Sequence, residues 1–331
     1  MQRFTCLCLC IFSAMFPLTS GAQITTLALD RTIDLPDVNG RIDHLAVDLD
    51  GQRLFVAELG NDSVDVIDLK SNVVRQRIAG LKEPQGVGYL PSTHTLYVAN
   101  GGDGSLRWFE GDLRRSSGTL KLGADADNIR IDANGKRILV GYGEGAIAII
   151  DALTNTKVRE IALDGHPESF QLASSGEAVY VNVPDAKQWM IGDAEKGRVR
   201  EKIPTRDLRA NFPMALDEAR GRLMIAFRDP SRLRMISLER KSEKDVEICR
   251  DADDVFIDRA RHRLYVICGQ GVVDVLDDDG SHIERVATAP GARTGLFVPA
   301  LDRLYVAAPA RSGTNARVLV WKPEQTPLPG R

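Results

Sequence analysis

The sequence predicts an all-β fold, a seven-bladed β-propeller of four-stranded antiparallel blades, and three observations support this. First, one apolar phrase recurs seven times at intervals of 40 to 44 residues, starting at Leu54, Leu96, Ile138, Val179, Leu223, Leu264 and Leu304. Second, each copy is accompanied by further short runs of β-branched and aromatic residues, separated by Gly, Pro, Asp and Asn, which is typical of antiparallel strands. Third, the two ends of the array hold incomplete parts that complete each other. Four strands per repeat of this length make one propeller blade.

The second repeat shows the four strands of a blade in order. A short apolar run at 86–90 precedes a turn and the β-rich run 96–100, which reads Leu-Tyr-Val-Ala-Asn. A Gly-rich turn then leads to a third run at 105–109, and residues 119–122 supply the fourth. No window outside the N-terminus has the apolar period of a helix, so no helix competes with this interpretation.

The ring is expected to close through its two ends. The last repeat has runs at 295–299, 303–307 and 317–321 but lacks a fourth strand, whereas Leu27 to Leu35 is strand-like and precedes the first complete repeat. We expect this N-terminal strand to lie on the outer edge of the last blade, because that arrangement leaves no exposed edge.

The N-terminus has the features of a secretory signal peptide over residues 1–22. Arg3 supplies a minimal basic region, residues 4–18 are mostly apolar, and Ser20-Gly21-Ala22 offers small residues for cleavage. The prediction is therefore a signal peptide (1–22), one propeller domain (23–322) and a Pro-rich tail (323–331), in a periplasmic or secreted protein without a membrane span after cleavage.

Cysteine usage agrees with export. Three of the five cysteines lie in the signal peptide, which leaves Cys249 and Cys268. The predicted strands place both at the same face of the sixth blade, where an oxidising compartment permits a disulfide. A disulfide and a pair of buried thiols both remain open from the sequence.

Composition limits the partners. The formal net charge of −3 provides no basic field for nucleic acid. A chain of this length buries enough surface to fold without a metal or a partner, and we expect a monomer. A small molecule or another protein is the expected partner.

Candidate site residues lie where the innermost strands of the blades begin, because these starts surround one end of the central channel. Polar residues fall there in most repeats: Asp43, His44, Asp127, His166, Glu168, Asn211 and Asp253. Oxygen and imidazole groups from neighbouring blades could bind a divalent cation or a polar small molecule. Arg41, Arg228 and Arg293 could recognise an anionic ligand on the same rim. The alternative is a solvated rim on which Asp and Asn make turns.

The phrase at 96–104, LYVANGGDG, and its relatives in every repeat resemble the YVTN (YncE-like) family of bacterial exported β-propellers. The resemblance covers residues 27–322 and includes blade-start phrases such as DADNIRID at 125–132 and DADDVFID at 251–258. It implies the fold and an extracytoplasmic location, but no particular reaction. The sequence has no Cys-x-x-Cys-His, so a covalent c-type haem is not expected.

Three functional hypotheses follow, and whether the protein is an enzyme stays open. The leading one is a ligand-binding or scaffold module with a polar site at the channel rim. The first alternative is a metal-dependent hydrolase of lactonase type, since gluconolactonase-like propellers hold a cation with Glu, Asn and Asp; Glu168, Asn211 and Asp253 are the corresponding candidates. The second alternative is a protein interaction platform that uses the exposed loops.

Overall fold

A computed structural model describes residues 25–325. The predicted signal peptide and the last residues of the predicted tail, 326–331, lie outside this range. Between these limits the chain forms seven four-stranded antiparallel sheets. The predicted seven-bladed propeller is confirmed.

The strands follow one another from the innermost to the outermost position of each blade. The first strand of the chain, β1 (Leu27–Leu35), belongs to the last blade. Blade one contains β2 (Leu45–Asp48), β3 (Arg53–Glu58), β4 (Ser63–Asp68) and β5 (Val73–Ala79). Blade two contains β6 (Pro84–Leu90), β7 (Thr95–Asn100), β8 (Ser105–Phe109) and β9 (Ser116–Lys121). Blade three contains β10 (Ile129–Ile131), β11 (Arg137–Tyr142), β12 (Ala146–Asp151) and β13 (Thr156–Ala162).

The remaining blades repeat this order. Blade four contains β14 (Phe170–Leu172), β15 (Ala178–Val183), β16 (Gln188–Asp193) and β17 (Arg198–Pro204). Blade five contains β18 (Arg209–Asp217), β19 (Arg222–Asp229), β20 (Ser231–Ser237) and β21 (Glu243–Glu247). Blade six contains β22 (Ala252–Asp258), β23 (Arg263–Cys268), β24 (Val272–Asp277) and β25 (His282–Ala287). Blade seven contains β26 (Thr294–Val298), β27 (Arg303–Ala308) and β28 (Ala316–Pro323). Single 3₁₀ turns occur at Leu59–Asn61, Pro91–Thr93, Glu218–Arg220 and Pro299–Leu301.

The ring closes as the two chain ends predicted. Strand β1 pairs antiparallel with β28, with Leu35 opposite Ala316 and Leu27 opposite Pro323. The backbone amide of Glu324 donates to the carbonyl of Thr26 at 2.8 Å, so pairing continues one residue past β28. Strand β28 itself ends at Pro323, one residue beyond the limit of 322 expected for the domain.

The repeated phrase is mainly apolar because both faces of a blade are covered. Seven apolar clusters fill the spaces between neighbouring blades, one for each interface. In the second blade, Leu96 packs towards blade one and Tyr97 packs towards blade three. Successive side chains of a strand point to opposite faces, so the residues of the phrase are buried in all seven copies, except for the partly buried Tyr180.

This arrangement brings one end of all seven innermost strands to the same end of the channel. Each innermost strand begins there, the second strand returns to it, and the turn between second and third strands opens on it. We call this end of the channel the mouth and the opposite end the lower rim. Within residues 25–325, no helix is long and apolar enough to cross a membrane.

Candidate ligand site at the mouth of the channel

Strand register identifies equivalent residues around the mouth. In every blade one residue of the innermost strand pairs with the third residue of the repeated phrase, as Leu45 does with Val56 and Ile129 with Val140. We call the residue two places before it the mouth position. From blade one to blade seven, the mouth positions are Asp43, Gln85, Asp127, Glu168, Phe212, Asp253 and Arg293. Four of the predicted site residues therefore occupy one equivalent place in four blades.

Asn211 lies apart from this ring. The register of β18 shifts between Asn211 and Met214, which puts Phe212 at the mouth position instead. The side-chain amide of Asn211 donates to Asn182 Oδ1 at 3.1 Å and to the carbonyl of Gln188 at 3.0 Å. The structure thus turns the Asn211 amide group towards blade four and does not bring it together with the mouth carboxylates.

Two histidines lie beside the mouth carboxylates of blades one and three. His44 Nε2 lies 3.8 Å from Asp43 Oδ1 and 3.9 Å from Asp127 Oδ1. His166 Nε2 lies 4.0 Å from Asp127 Oδ2, and its Nδ1 lies 2.6 Å from the carbonyl oxygen of Gly143. Acid and imidazole groups therefore alternate along one side of the mouth.

Arginines occupy the other side, and each is already paired. Arg41 Nη2 lies 2.9 Å from Asp43 Oδ2. Arg293 Nε lies 3.0 Å from Asp253 Oδ2, and Arg228 also bonds the Asp253 carboxylate. The Arg228 guanidinium stacks on the Phe212 ring at 3.9 Å. An anionic ligand at these three arginines would have to compete with the protein's own carboxylates.

Two carboxylates lack such partners. No residue between 25 and 325 donates a hydrogen bond to the Glu168 side chain, which is half-buried at the mouth. Asp127 is only 6% exposed, and its Oδ1 atom is buried without a hydrogen-bond donor. The nearest cationic groups to Asp127 are His44 and His166, at 3.9 and 4.0 Å, which is too far for a hydrogen bond. A buried carboxylate oxygen without a donor is costly, so these two carboxylates can accept a further donor or cation.

The crowding of buried carboxyl groups at the mouth raises the pKa values of several of its side chains. Burial raises the pKa of Glu168 to about 8, and the neighbouring charge of Asp127 adds to the effect. Burial likewise raises the pKa of Asp43 to about 8, against the opposing effect of Arg41. Burial by itself lowers the pKa of His166, but Asp127 and the Gly143 carbonyl outweigh it and raise that pKa to about 9. At neutral pH the carboxyl groups of Glu168 and Asp43 are therefore largely protonated, and a bound cation could replace these protons.

Beneath the mouth, the channel holds a cavity of about 860 Å³. Its upper wall carries His44, Arg130, Ser169, Gln171 and Asp254, and most of its remaining lining is apolar. Burial raises the pKa of Asp254 to about 7, although the charge of His44 opposes this.

Sequence reasoning missed Arg130 as a site residue. A signal was present, because the corresponding residues of the other blades are Ala46, Gly88, Gln171, Ala215, Phe256 and Leu296, none of them charged. Comparing the repeats position by position would have singled it out.

The candidate metal ligands do not meet as a group. Glu168 and Asp253 face the same mouth and influence each other's charge, whereas the Asn211 amide bonds to blade four. Among residues 25–325, no three His, Cys, Asp or Glu side chains are arranged so that they could hold a metal ion.

A disulfide braces the acidic segment of blade six. Of the two states left open by the sequence, the structure has Cys249 bonded to Cys268, with their Cα atoms 5.9 Å apart. Cys249 immediately precedes the segment that carries Asp251 and Asp253, and the Gly269 amide donates to the carbonyl of Asp251 at 2.8 Å. The bridge therefore ties the start of β22 to the end of β23 at the mouth.

Comparison with known proteins supports the architecture. Neither a family model nor a curated protein matches the sequence. Among solved structures, hydrazine synthase from Kuenenia stuttgartiensis superimposes with a TM-score of 0.76 at 18% identity, covering 86% of this chain and 96% of that one. At this level of identity the similarity concerns the fold alone.

Proposed function

We propose that this chain is an exported, YVTN-type propeller that binds a small organic cation at the mouth of its channel. The repeated phrase and the signal-like N-terminus support the family and the location, and the disulfide is typical of an oxidising compartment. One observation carries the binding function: carboxylates from four blades converge at the mouth, and two of them, Asp127 and Glu168, have unused acceptor capacity.

The ligand group that fits this arrangement best is an ammonium. It donates up to three hydrogen bonds from one point, which suits acceptors that approach from different blades. It also neutralises acid groups whose raised pKa values reflect burial beside one another. The blades hold these acceptors in place before the ligand arrives, so little ordering is needed on binding.

Isothermal titration calorimetry with hexylammonium chloride tests this function. We expect binding to the wild-type protein and at least tenfold weaker binding to Glu168→Gln, which keeps the shape of the side chain but removes its charge. The matched control is Glu144→Gln, because Glu144 is exposed in the turn between β11 and β12 at the same end of the molecule. Binding that is absent, or equal in wild type and Glu168→Gln, would overturn the proposal.

A parallel titration with Ca²⁺, Zn²⁺ and Mn²⁺ separates this function from the hydrolase alternative. That alternative requires a metal that is lost in both Glu168→Gln and Asp253→Asn and a lactone or ester that is then turned over. Metal binding with these properties, in the absence of hexylammonium binding, would favour the hydrolase over the proposed module.

A further inference from the structure

Arg130 differs from the other arginines of the channel. Its Nη1 atom donates to Asn128 Oδ1 at 3.2 Å and to the carbonyl of Ile129 at 2.8 Å. No carboxylate between residues 25 and 325 forms an ion pair with it, and none of these residues accepts a hydrogen bond from its Nε or Nη2 atoms. The arginines of the mouth, in contrast, are each paired with an aspartate.

The groups around Arg130 compensate its charge only in part. Burial lowers the pKa of Arg130, and the charges of Asp254 and Asp127 only partly offset this. The Phe170 ring lies 5.5 Å from the guanidinium carbon and supports it from the neighbouring blade. A planar guanidinium with free Nε and Nη2 donors is suited to bind a carboxylate through two parallel hydrogen bonds.

Arg130 lies deeper in the channel than the carboxylates of the mouth. Arg130 follows Asp127 by three residues in the innermost segment of blade three, and its Nη1 atom reaches back to Asn128 Oδ1. Below the mouth carboxylates, the channel wall therefore offers Arg130, with Ser169 and Gln171 beside it on blade four. Farther down it becomes apolar, with Val47, Ile131, Leu216 and Ile257 among its lining residues. The cavity therefore begins just below the mouth carboxylates, carries Arg130 and Asp254 on its upper wall, and is mainly apolar beneath them.

Building on the proposed function, we propose that the ligand is an aliphatic amino acid whose carboxylate binds Arg130 while its ammonium binds Asp127 and Glu168. The ammonium of such a zwitterion meets carboxylate oxygens that lack a hydrogen-bond donor, and its carboxylate meets Arg130, which forms no ion pair among residues 25–325. Its methylene chain spans the distance between the two groups. A ligand of either charge alone leaves one of these groups without a partner.

Calorimetry with three probes of equal chain length tests the assignment: 6-aminohexanoate, hexylammonium and hexanoate. We expect 6-aminohexanoate to bind wild type at least tenfold more tightly than either singly charged probe. Arg130→Gln should remove the advantage of 6-aminohexanoate over hexylammonium. Glu168→Gln should reduce the affinity of 6-aminohexanoate to that of hexanoate. Arg159→Gln is the matched control, because Arg159 is exposed on the outer strand β13 of the same blade.

The outcomes separate this inference from the proposed function. If hexylammonium binds through Glu168 but the zwitterion binds no better, the zwitterion assignment is wrong while the ammonium site stands. If hexylammonium does not bind, both are wrong. Arg130→Lys keeps the charge but loses the paired donors, so a several-fold loss for the zwitterion is expected there too. Thermal denaturation confirms that each variant is folded, and full zwitterion affinity in a folded Arg130→Lys or Arg130→Gln protein would overturn the assignment.

Discussion

The two ends of the channel use carboxylates in opposite ways. At the lower rim, three innermost strands end in a buried aspartate and a fourth, β10, is followed by one. Each aspartate has an arginine nearby: Asp48 with Arg53 at 2.7 Å, Asp132 with Arg137 at 3.0 Å, Asp217 with Arg222 at 3.5 Å, and Asp258 with Arg261 at 3.0 Å. At the mouth, the equivalent positions hold acid, amide, aromatic and basic residues in different blades. The same aspartate–arginine pairing thus recurs in four blades at the lower rim, whereas residue type and partner differ from blade to blade at the mouth.

This difference distinguishes residues that stabilise the fold from residues that are available to bind a ligand. An aspartate that recurs in the same place with an arginine partner stabilises the four blades that carry it in a similar way. Groups that vary from blade to blade cannot serve a common purpose in the blades. At the mouth, Asp127 Oδ1 is buried without a hydrogen-bond donor, and no residue between 25 and 325 donates to the Glu168 side chain. Substitutions at the lower rim should therefore destabilise the protein, and those at the mouth should mainly alter binding and the response to pH.

The largest effect is expected at the lower rim, for Asp258→Ala. This change removes the acceptor for Arg261 Nη1, at 3.0 Å, and for the Tyr265 hydroxyl, at 2.8 Å. Breaking one side of a buried pair costs about 3–5 kcal/mol, measured as the free energy of unfolding in urea. The control Asp279→Ala, at an exposed residue of the same blade, should change stability by less than about 0.5 kcal/mol. Equal losses in the two variants would contradict the distinction.

The next effect concerns the disulfide at the mouth. Replacing Cys249 and Cys268 together by serine removes a bridge with a sequence separation of 19 residues. Closing a loop of this size stabilises a protein by about 3 kcal/mol, so the double variant should unfold at a lower urea concentration. Adding a reductant should lower the midpoint of the wild type and not that of the variant. An unchanged wild-type midpoint after verified reduction of the bridge would contradict this expectation.

A smaller effect is the pH dependence of stability. The pKa values of Asp43 and Glu168 are about 8, and that of His166 is about 9, all above their ordinary values. Since the folded state binds more protons, the free energy of unfolding should fall as pH rises. The carboxyl contributions are full below about pH 4 and lost by about pH 8, and that of His166 is full below about pH 6.5 and lost by about pH 9.

Glu168→Gln sharpens this prediction at one residue. The variant should be more stable than wild type by about 1–3 kcal/mol at pH 9 and nearly equal to it at pH 4, because only the ionised Glu168 is unfavourable. Urea unfolding at the two pH values measures this, with Glu144→Gln as the control. A variant that is less stable than wild type at pH 9 would show that the Glu168 carboxylate stabilises the mouth.

The sequence predicted the fold well because the fold is repeated. The spacing of the phrase set the number of blades, and the unmatched strand at Leu27–Leu35 revealed how the ring closes. Asp43, Asp127, Glu168 and Asp253 could also be placed at the mouth, since strand direction alone brings strand starts to one end of the channel. These inferences depend only on local pattern and on topology.

The remaining features depend on geometry that a single repeat does not encode. Asn211 is displaced from the ring by a register shift in β18, and Phe212 takes its place. Arg228 lies in the second strand of blade five but pairs with Asp253 of blade six, a contact between blades that spacing along the chain does not specify. Arg130 stands out only when the repeats are compared position by position.

The central claim is that the mouth exchanges protons for a cation, and calorimetry of hexylammonium binding at pH 7 in two buffers tests it most directly. Phosphate and Tris differ in their heat of ionisation, so protons released on binding make the observed heats differ. We predict proton release in wild type, because Glu168 and Asp43 are largely protonated at this pH, and a smaller release in Glu168→Gln. Equal heats in the two buffers, or an unchanged release in Glu168→Gln, would contradict the account.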